Sequence, residues 1–329
     1  MFYSNFSKNT DKYYLNPNDY IDVTERAGSI FEKPIVHRLY RVVYLKSIAF
    51  NAYCYPISPG TEGGYIESES NLSQAGNCVV LDGAKVFGNA NVSGDACVCD
   101  EAIISGSAVI KNNALVCGEA SVGDSARVIM NAIVEGDACV AGKAVICDHA
   151  HVFDRATVGG SAFVSGCATV GDSAVIIDSG IVTDNACVGG QATISGSAVI
   201  KDGAGVFGNA NVSGFAKLEK RARAFDDCCI TDAARVSNRA MIIGGATISG
   251  KACIFDNAIV GGQAVVSGNS YVGTNAQVKG DARLDDKQQK FYQNVIINGA
   301  EIEYKSGNAE SNAENFDENQ DDATSEPNV

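Results

Sequence analysis

The sequence predicts an all-β solenoid, and three observations carry that reading: a six-residue period running without insertion from Cys78 to Leu284, a small residue at its first position and a branched aliphatic at its third. Counting from position 78 in steps of six gives 35 sites, of which 31 hold Ala; the exceptions are Cys78, Gly180, Cys228 and Ser270. Two residues further on, Val, Ile or Leu fills 34 of 35 sites, and only Ala224 departs. The fifth position is usually Gly, Asp or Asn.

Side chains alternate in an extended strand, so the first and third residues of each hexad face inward and the second and fourth face solvent. Gly, Asp and Asn suit a bend at the fifth position, because they accept positive φ or bond their own backbone. Each hexad is then one short strand and one corner. Three flat sides close a coil of about 18 residues, and successive coils pair as parallel strands about 4.8 Å apart. The run gives about 12 coils and a rod roughly 55 Å long. A prism this narrow has room for one branched aliphatic per side and only a methyl beside the corner, which accounts for the restricted inner columns.

The ends need covering, since an open solenoid exposes unpaired strand edges. Residues 1–35 read as irregular. Residues 36–77 read as an N-terminal β cap and lead-in, because His37-Arg-Leu-Tyr-Arg-Val-Val-Tyr-Leu has strand composition. The solenoid spans 78–284 and a C-terminal cap 285–305. In that cap Asn298-Gly299 permits a hairpin, whereas Ile296, Ala300 and Ile302 also fall in hexad register, so both arrangements stay open. Residues 306–329 carry seven acidic residues and no Lys or Arg, half of the net charge of −14, and read as a disordered acidic tail.

No apolar run of membrane length occurs, and the first residues lack a basic region followed by an apolar core, so neither membrane insertion nor export is expected. Twelve cysteines are scattered without C-x-x-C pairing, which reads as reduced cytoplasmic thiols serving as small apolar residues. The solenoid carries 20 acids and 15 bases with no unbroken acidic stripe, so a nucleic-acid partner or mimic is not expected. Threonines are too few and dispersed for an ice-binding ladder, and no phosphate-binding loop or nucleophile elbow appears.

The period resembles the hexapeptide repeat of left-handed parallel β-helices, in which an aliphatic is followed four residues later by a small residue, as Val86 is by Ala90. The left hand is implied by that resemblance alone. The lead-in Gly60-Thr-Glu-Gly-Gly-Tyr-Ile-Glu-Ser-Glu-Ser-Asn-Leu-Ser-Gln-Ala-Gly-Asn-Cys-Val resembles that of the YdcK-like hexapeptide-repeat proteins, described as acyltransferases on the strength of their fold. The resemblance implies a coenzyme A-dependent acyltransferase, with acyl-coenzyme A as co-substrate, a small-molecule acceptor and a homotrimer built through the long sides. Ile133, Phe153 and Phe163 offer apolar surface for such contacts.

Acyl transfer needs a general base for the acceptor, usually His, and a groove for the pantetheine arm. The chain has three histidines. His37 lies in the cap, while His149 and His151 flank inward Ala150 and point outward from one edge. Ala150-His-Val-Phe-Asp-Arg resembles the A-H-I-A-H segment of UDP-N-acetylglucosamine acyltransferases of the lipid A pathway; His151 matches its first His, but Asp154 stands where the second, the base in that family, is expected. The catalytic candidates are therefore His151 and His149, against the alternative of two solvent-facing strand histidines.

A basic cluster of Lys217, Lys220, Arg221, Arg223, Arg235 and Arg239 coincides with the outlier Ala224. With an 18-residue coil Arg221 shares a column with His149, and Arg223 with His151, four coils or roughly 19 Å apart. Small residues lie between, including Gly203 and Gly205. The cofactor-binding expectation is Arg221, Arg223 and Arg239 on the phosphates, with the arm in a Gly203/Gly205 depression. No metal site is expected: a three-imidazole zinc centre needs three histidines, and only two lie in the rod. The stacked pairs Asp82/Asp100, Asp154/Asp172 and Asp184/Asp202 could share Ca²⁺, though corner geometry explains them. Cys99 and Cys117 also stack. Two functional classes remain: the acyltransferase and a catalytically silent scaffold or binding rod.

Overall fold

The computed structural model describes residues 11–25, 34–48, 56–285 and 291–304; the expected acidic tail at 306–329 lies outside them. Strands β1 (Tyr13–Glu25), β2 (Ile35–Tyr44) and β3 (Glu62–Ile66) lead into the 35 hexad strands β4 to β38, from Val79–Val80 to Arg283–Leu284, followed by β39 (Phe291–Gln293), β40 (Val295–Asn298) and β41 (Glu301–Tyr304). The described residues contain no helix. They form a parallel β-solenoid of about 13 turns, whose three sheets hold 15, 14 and 12 strands. These are faces one, two and three below.

The hexad dictates this. Along the body each residue pairs with the one 18 positions on, as Leu115 does with Ile133, Thr157 with Val175 and Cys229 with Thr247. The Ala and aliphatic columns are fully buried, from Ala84 and Val86 to Ala276 and Val278. Each fifth residue from Asp82 to Gly280 sits in the left-handed region, where Asp and Gly alternate irregularly as at Asp148 (φ 59), Asp154 (φ 54), Gly160 (φ 65) and Gly166 (φ 68). Met130, Lys220 and Thr274 are held there too, at φ 63, 62 and 52, against their preference.

The corner aspartates do a second job. The N–H of the fifth residue stands outside the sheet ladders, and an aspartate at the same corner one coil earlier accepts it. Gly142 N–H donates to Asp124 Oδ2 (2.8 Å), Gly166 to Asp148 (3.0 Å), Gly190 to Asp172 (2.7 Å) and Lys220 to Asp202 (3.0 Å). Aspartate is thus doubly suited to the corner: it tolerates the left-handed backbone and supplies an acceptor to the next turn.

The N-terminal cap extends face one. β3 pairs in parallel with β5 (Lys85–Val86) and antiparallel with β2, which pairs antiparallel with β1. The expectation of an irregular segment through residue 35 is corrected here, because Tyr13–Glu25 is a strand. Asn16-Pro17-Asn18-Asp19 reads as a turn, yet the chain absorbs it as a register shift between Asn16 and Tyr20 on an edge strand, where a proline costs no ladder bond.

Buried polar groups close the open end of the first coil. Lys12 Nζ donates to the carbonyls of Cys78 (2.9 Å) and Gly76 (3.4 Å), and Tyr44 OH donates to Val80 O (3.0 Å) and accepts from Val80 N (2.9 Å). Fully buried Asn71 donates to the carbonyls of Gly88 and Ala90. His37, 9% exposed, bridges two acids, with Nδ1 3.0 Å from Glu67 and Nε2 3.1 Å from Glu25.

At the far end the hairpin arrangement holds, and the hexad-register arrangement does not. β40 and β41 form the hairpin, with Asn298 opposite Glu301, and β40 also stacks on β37 (Gln277–Lys279). The offset there is Gln277 to Ile296, one residue more than a coil, so the hexad register has slipped. Val295 and Ile297 are buried and Ile296 is not, the face exchange that a single-residue slip imposes.

Among the described residues ten cysteines are unpaired, and Cys97 is disulfide-bonded, against the expectation that the thiols are all reduced. No helix among the described residues is long and apolar enough to cross a membrane.

Val164 is fully buried in the aliphatic column. Val164→Asp puts an unpaired charge in the prism and is expected to cost more than about 3 kcal/mol. Chemical denaturation followed by circular dichroism checks this, and an unchanged midpoint contradicts the burial.

Burial alone would lower the His37 pKa, but its bonds to Glu67 and Glu25 outweigh that and leave it above the ordinary 6.5. A raised folded pKa gives stability that is full below the unfolded value and lost as pH rises through the folded one. Hydrogen exchange of β1 and β2 should therefore quicken as pH rises above neutrality, after correction for the intrinsic rate. His37→Gln should remove that dependence.

Candidate functional site

Face two carries the predicted histidine and arginine columns. Its second-position residues run upward as Ile133, His151, Thr169, Cys187, Gly205 and Arg223, each paired with the next. His149 and Arg221 occupy the corner between faces three and two, both exposed, and Arg239 stands one coil above Arg221, also exposed. The structure thus brings His149, His151, Arg221, Arg223 and Arg239 onto one edge, as the coil length requires.

His151 has a partner that the sequence reading missed. Its Nε2 lies 2.8 Å from Glu135 Oε1, and its ring packs on Phe153 with centroids 4.7 Å apart. Glu135 is the fourth residue of its hexad, 16 positions before His151. It is therefore the diagonal neighbour one coil below, on the same outward face. That relation follows from an 18-residue coil less the two residues between outward positions, and could have been counted. The tautomer donating Nε2–H to Glu135 leaves Nδ1 as the basic nitrogen. His149 is less constrained, with Nε2 3.3 Å from Asn131 Nδ2 at an exposed corner.

The Gly203/Gly205 depression is filled from within the chain. Arg223 Nη1 donates to Gly203 O at 2.5 Å, and Gly205 is buried beneath Phe207 and Arg223. A Cβ at 205 would come within 2.6 Å of Phe207 Cε2 and 3.1 Å of Arg223 Cδ. Glycine is there to admit those side chains, so the small column is not an open groove. Phe153 lies over Gly171 in the same manner, where a Cβ would meet its ring at 2.2 Å.

An open depression of about 410 Å³ lies instead at the other edge of face two, lined by Gly136, Asp137, Asp154, Arg155, Asp172 and Ser173. It sits on the coil of His151, roughly 10 Å along the strand. Asp154, aligned with the missing second histidine, is a corner residue whose Oδ2 accepts from Asp172 N at 3.3 Å. Asp82 and Asp184 likewise accept from the N–H of Asp100 (3.4 Å) and Asp202 (3.1 Å). One oxygen of each of these carboxylates is held by the backbone of the next coil, which accounts for the stacking by corner geometry without a shared Ca²⁺.

Below Glu135 the fourth-position column holds Cys117 and Cys99. Cys117 Sγ is 3.9 Å from Glu135 Oε2. A hydrogen bond between the two free thiols holds Cys117 below the ordinary thiol range and lifts Cys99 above it. No known family model and no curated protein sequence matches the chain.

Asp172 accepts from Gly190 N and adopts φ 55. Asp172→Ala loses that acceptor and keeps the left-handed corner, an expected cost of about 1–2 kcal/mol, while Asp172→Asn retains most of the stability. Thermal melting with and without Ca²⁺ checks both points; a rise in midpoint on adding Ca²⁺ would favour a shared ion.

Proposed function

We propose that the chain is a coenzyme A-dependent acyltransferase of the YdcK-like hexapeptide type, acting as a cytoplasmic homotrimer, with His151 as general base and Glu135 as its positioning partner. The carrying observation is the 2.8 Å contact between them on an outward strand. A carboxylate on one imidazole nitrogen fixes the tautomer and supports the imidazolium that forms when the other takes a proton. In the proposed step Nδ1 removes the proton from the acceptor hydroxyl or amine as its heteroatom bonds to the thioester carbonyl carbon. The carbon–sulfur bond then breaks, and the thiolate takes the proton from the imidazolium.

The exposed guanidinium groups of Arg221 and Arg239 suit the phosphates of the donor. Arg223, bonded to Gly203 O, walls the path. A second copy placed against face two, over half-buried Ile133 and Phe153, would supply the missing side of a pantetheine slot. Phe163, also half-buried, lies on face three and would face the third copy.

A second reading is a silent scaffold rod, and one observation favours it: Phe207 and Arg223 fill the depression that the arm would need.

Calorimetry with acetyl-coenzyme A distinguishes the two, and light scattering gives the mass. Binding by a trimer is expected, weakened by roughly 2–4 kcal/mol in Arg221→Ala/Arg239→Ala. His151→Ala should spare binding and lower turnover about 10²- to 10⁴-fold. A monomer that gives no heat at millimolar ligand leaves the scaffold reading.

A further inference from the structure

The geometry points to a thiophilic metal site on face two, in which Cys99 Sγ, Cys117 Sγ and the Asp100 carboxylate bind a divalent ion of the Zn²⁺ class, with Glu135 closing the shell. The three ligand atoms lie within 4.8 Å of one another, and among the described residues no other group of His, Cys, Asp and Glu is so gathered. Tetrahedral Zn²⁺ with sulfur at about 2.3 Å and oxygen at about 2.0–2.2 Å separates its ligands by roughly 3.5–3.8 Å. Small side-chain rotations would close the remaining gap.

The solenoid supplies what a site requires. Cys99 and Cys117 are the same hexad position in successive coils and directly follow the paired strands β7 (Cys97–Val98) and β10 (Leu115–Val116), so the backbone holds their sulfurs one coil apart. Asp100 follows Cys99 at the left-handed corner, and its Oδ2 accepts from Gly118 N–H at 2.8 Å, so the carboxylate is anchored with a second oxygen left for an ion. Glu135 continues the column, 3.9 Å from Cys117 Sγ through Oε2, while its Oε1 faces His151 Nε2. An imidazole N–H on a ligating carboxylate is a common outer-shell support.

Ligand chemistry selects the ion. Two thiolates with carboxylates favour Zn²⁺ or its mimic Co²⁺ over Ca²⁺ or Mg²⁺, which take oxygen only. Half-buried thiols beside the solvent-exposed Asp100 leave a way in. The assignment does not depend on acyl transfer.

The test uses full-length protein, freed of metal with a chelator and kept reduced with a phosphine. Co²⁺ titration should give thiolate-to-cobalt charge-transfer absorption and tetrahedral ligand-field bands that saturate at one ion per chain, and Zn²⁺ should displace it. Cys99→Ser and Cys117→Ser should each lose the saturable signal, with circular dichroism confirming the fold. Glu135→Gln should weaken affinity about 10- to 100-fold, whereas Cys139→Ser, an exposed thiol on face one, should bind as wild type. Absence of charge transfer with Co²⁺ in excess, or wild-type binding by Cys99→Ser/Cys117→Ser, overturns the site.

Discussion

Everything in this molecule depends on the width of the prism. Three two-residue strands per coil enclose a space that takes one branched aliphatic and one methyl per side, so any larger inward residue forces the coils apart. The same narrowness sets the corner: the chain must turn within a residue or two, which drives the fifth position into the left-handed region. Asp answers both demands, because its carboxylate takes the one backbone N–H that the ladders leave outside, as at Asp124, Asp148 and Asp172. Core, corners and ladder are one constraint seen from three sides.

A repeat that satisfies itself coil by coil cannot satisfy its ends. Here each end is solved by breaking the repeat. At the start, antiparallel strands lengthen face one, and Lys12, Tyr44 and Asn71 supply side-chain partners to the polar groups of the first coil. At the finish, the register slips by one residue and a hairpin is laid on face two. The slip exchanges inner and outer residues, so the terminal strand buries Val295 and Ile297 against the last hydrophobic layer.

Since the inner columns are invariant in kind, chemistry is confined to the second, fourth and sixth positions, with corner carboxylates beside them. Face two concentrates it. Cys99, Cys117, Glu135 and His151 form a continuous climb of polar side chains, each touching the next one coil up. Four coils above His151, arginines take over the same edge, and Arg223 with Phe207 occupies the space that Gly205 vacates. Thiol, carboxylate, imidazole and guanidinium groups are thereby set at fixed heights on a rigid strip. Coil spacing sets the distance between them rather than a mobile loop.

The sequence alone determined the solenoid, its coil length, the identity of both buried columns and the sharing of one edge by His149, His151, Arg221 and Arg223, because each follows from counting in sixes. It also placed a strand at His37. What it could not decide lies where side chains reach sideways or the count fails. Tyr13–Glu25 was hidden by a bulge that looks like a turn, and the final strand by a one-residue slip that no period reveals. Small residues at 203 and 205 looked like an empty groove because their neighbours' rotamers are not written in spacing; only the packing of Arg223 and Phe207 shows it filled. Stacked aspartates were explained by corner geometry, and the tertiary structure adds that their Oδ2 atoms hold backbone N–H groups of the next coil. The 16-residue offset of Glu135 from His151 can be counted, as can the stacking of Cys99 and Cys117, but whether such neighbours touch, and whether Asp100 joins the two thiols, is decided by side-chain direction and reach.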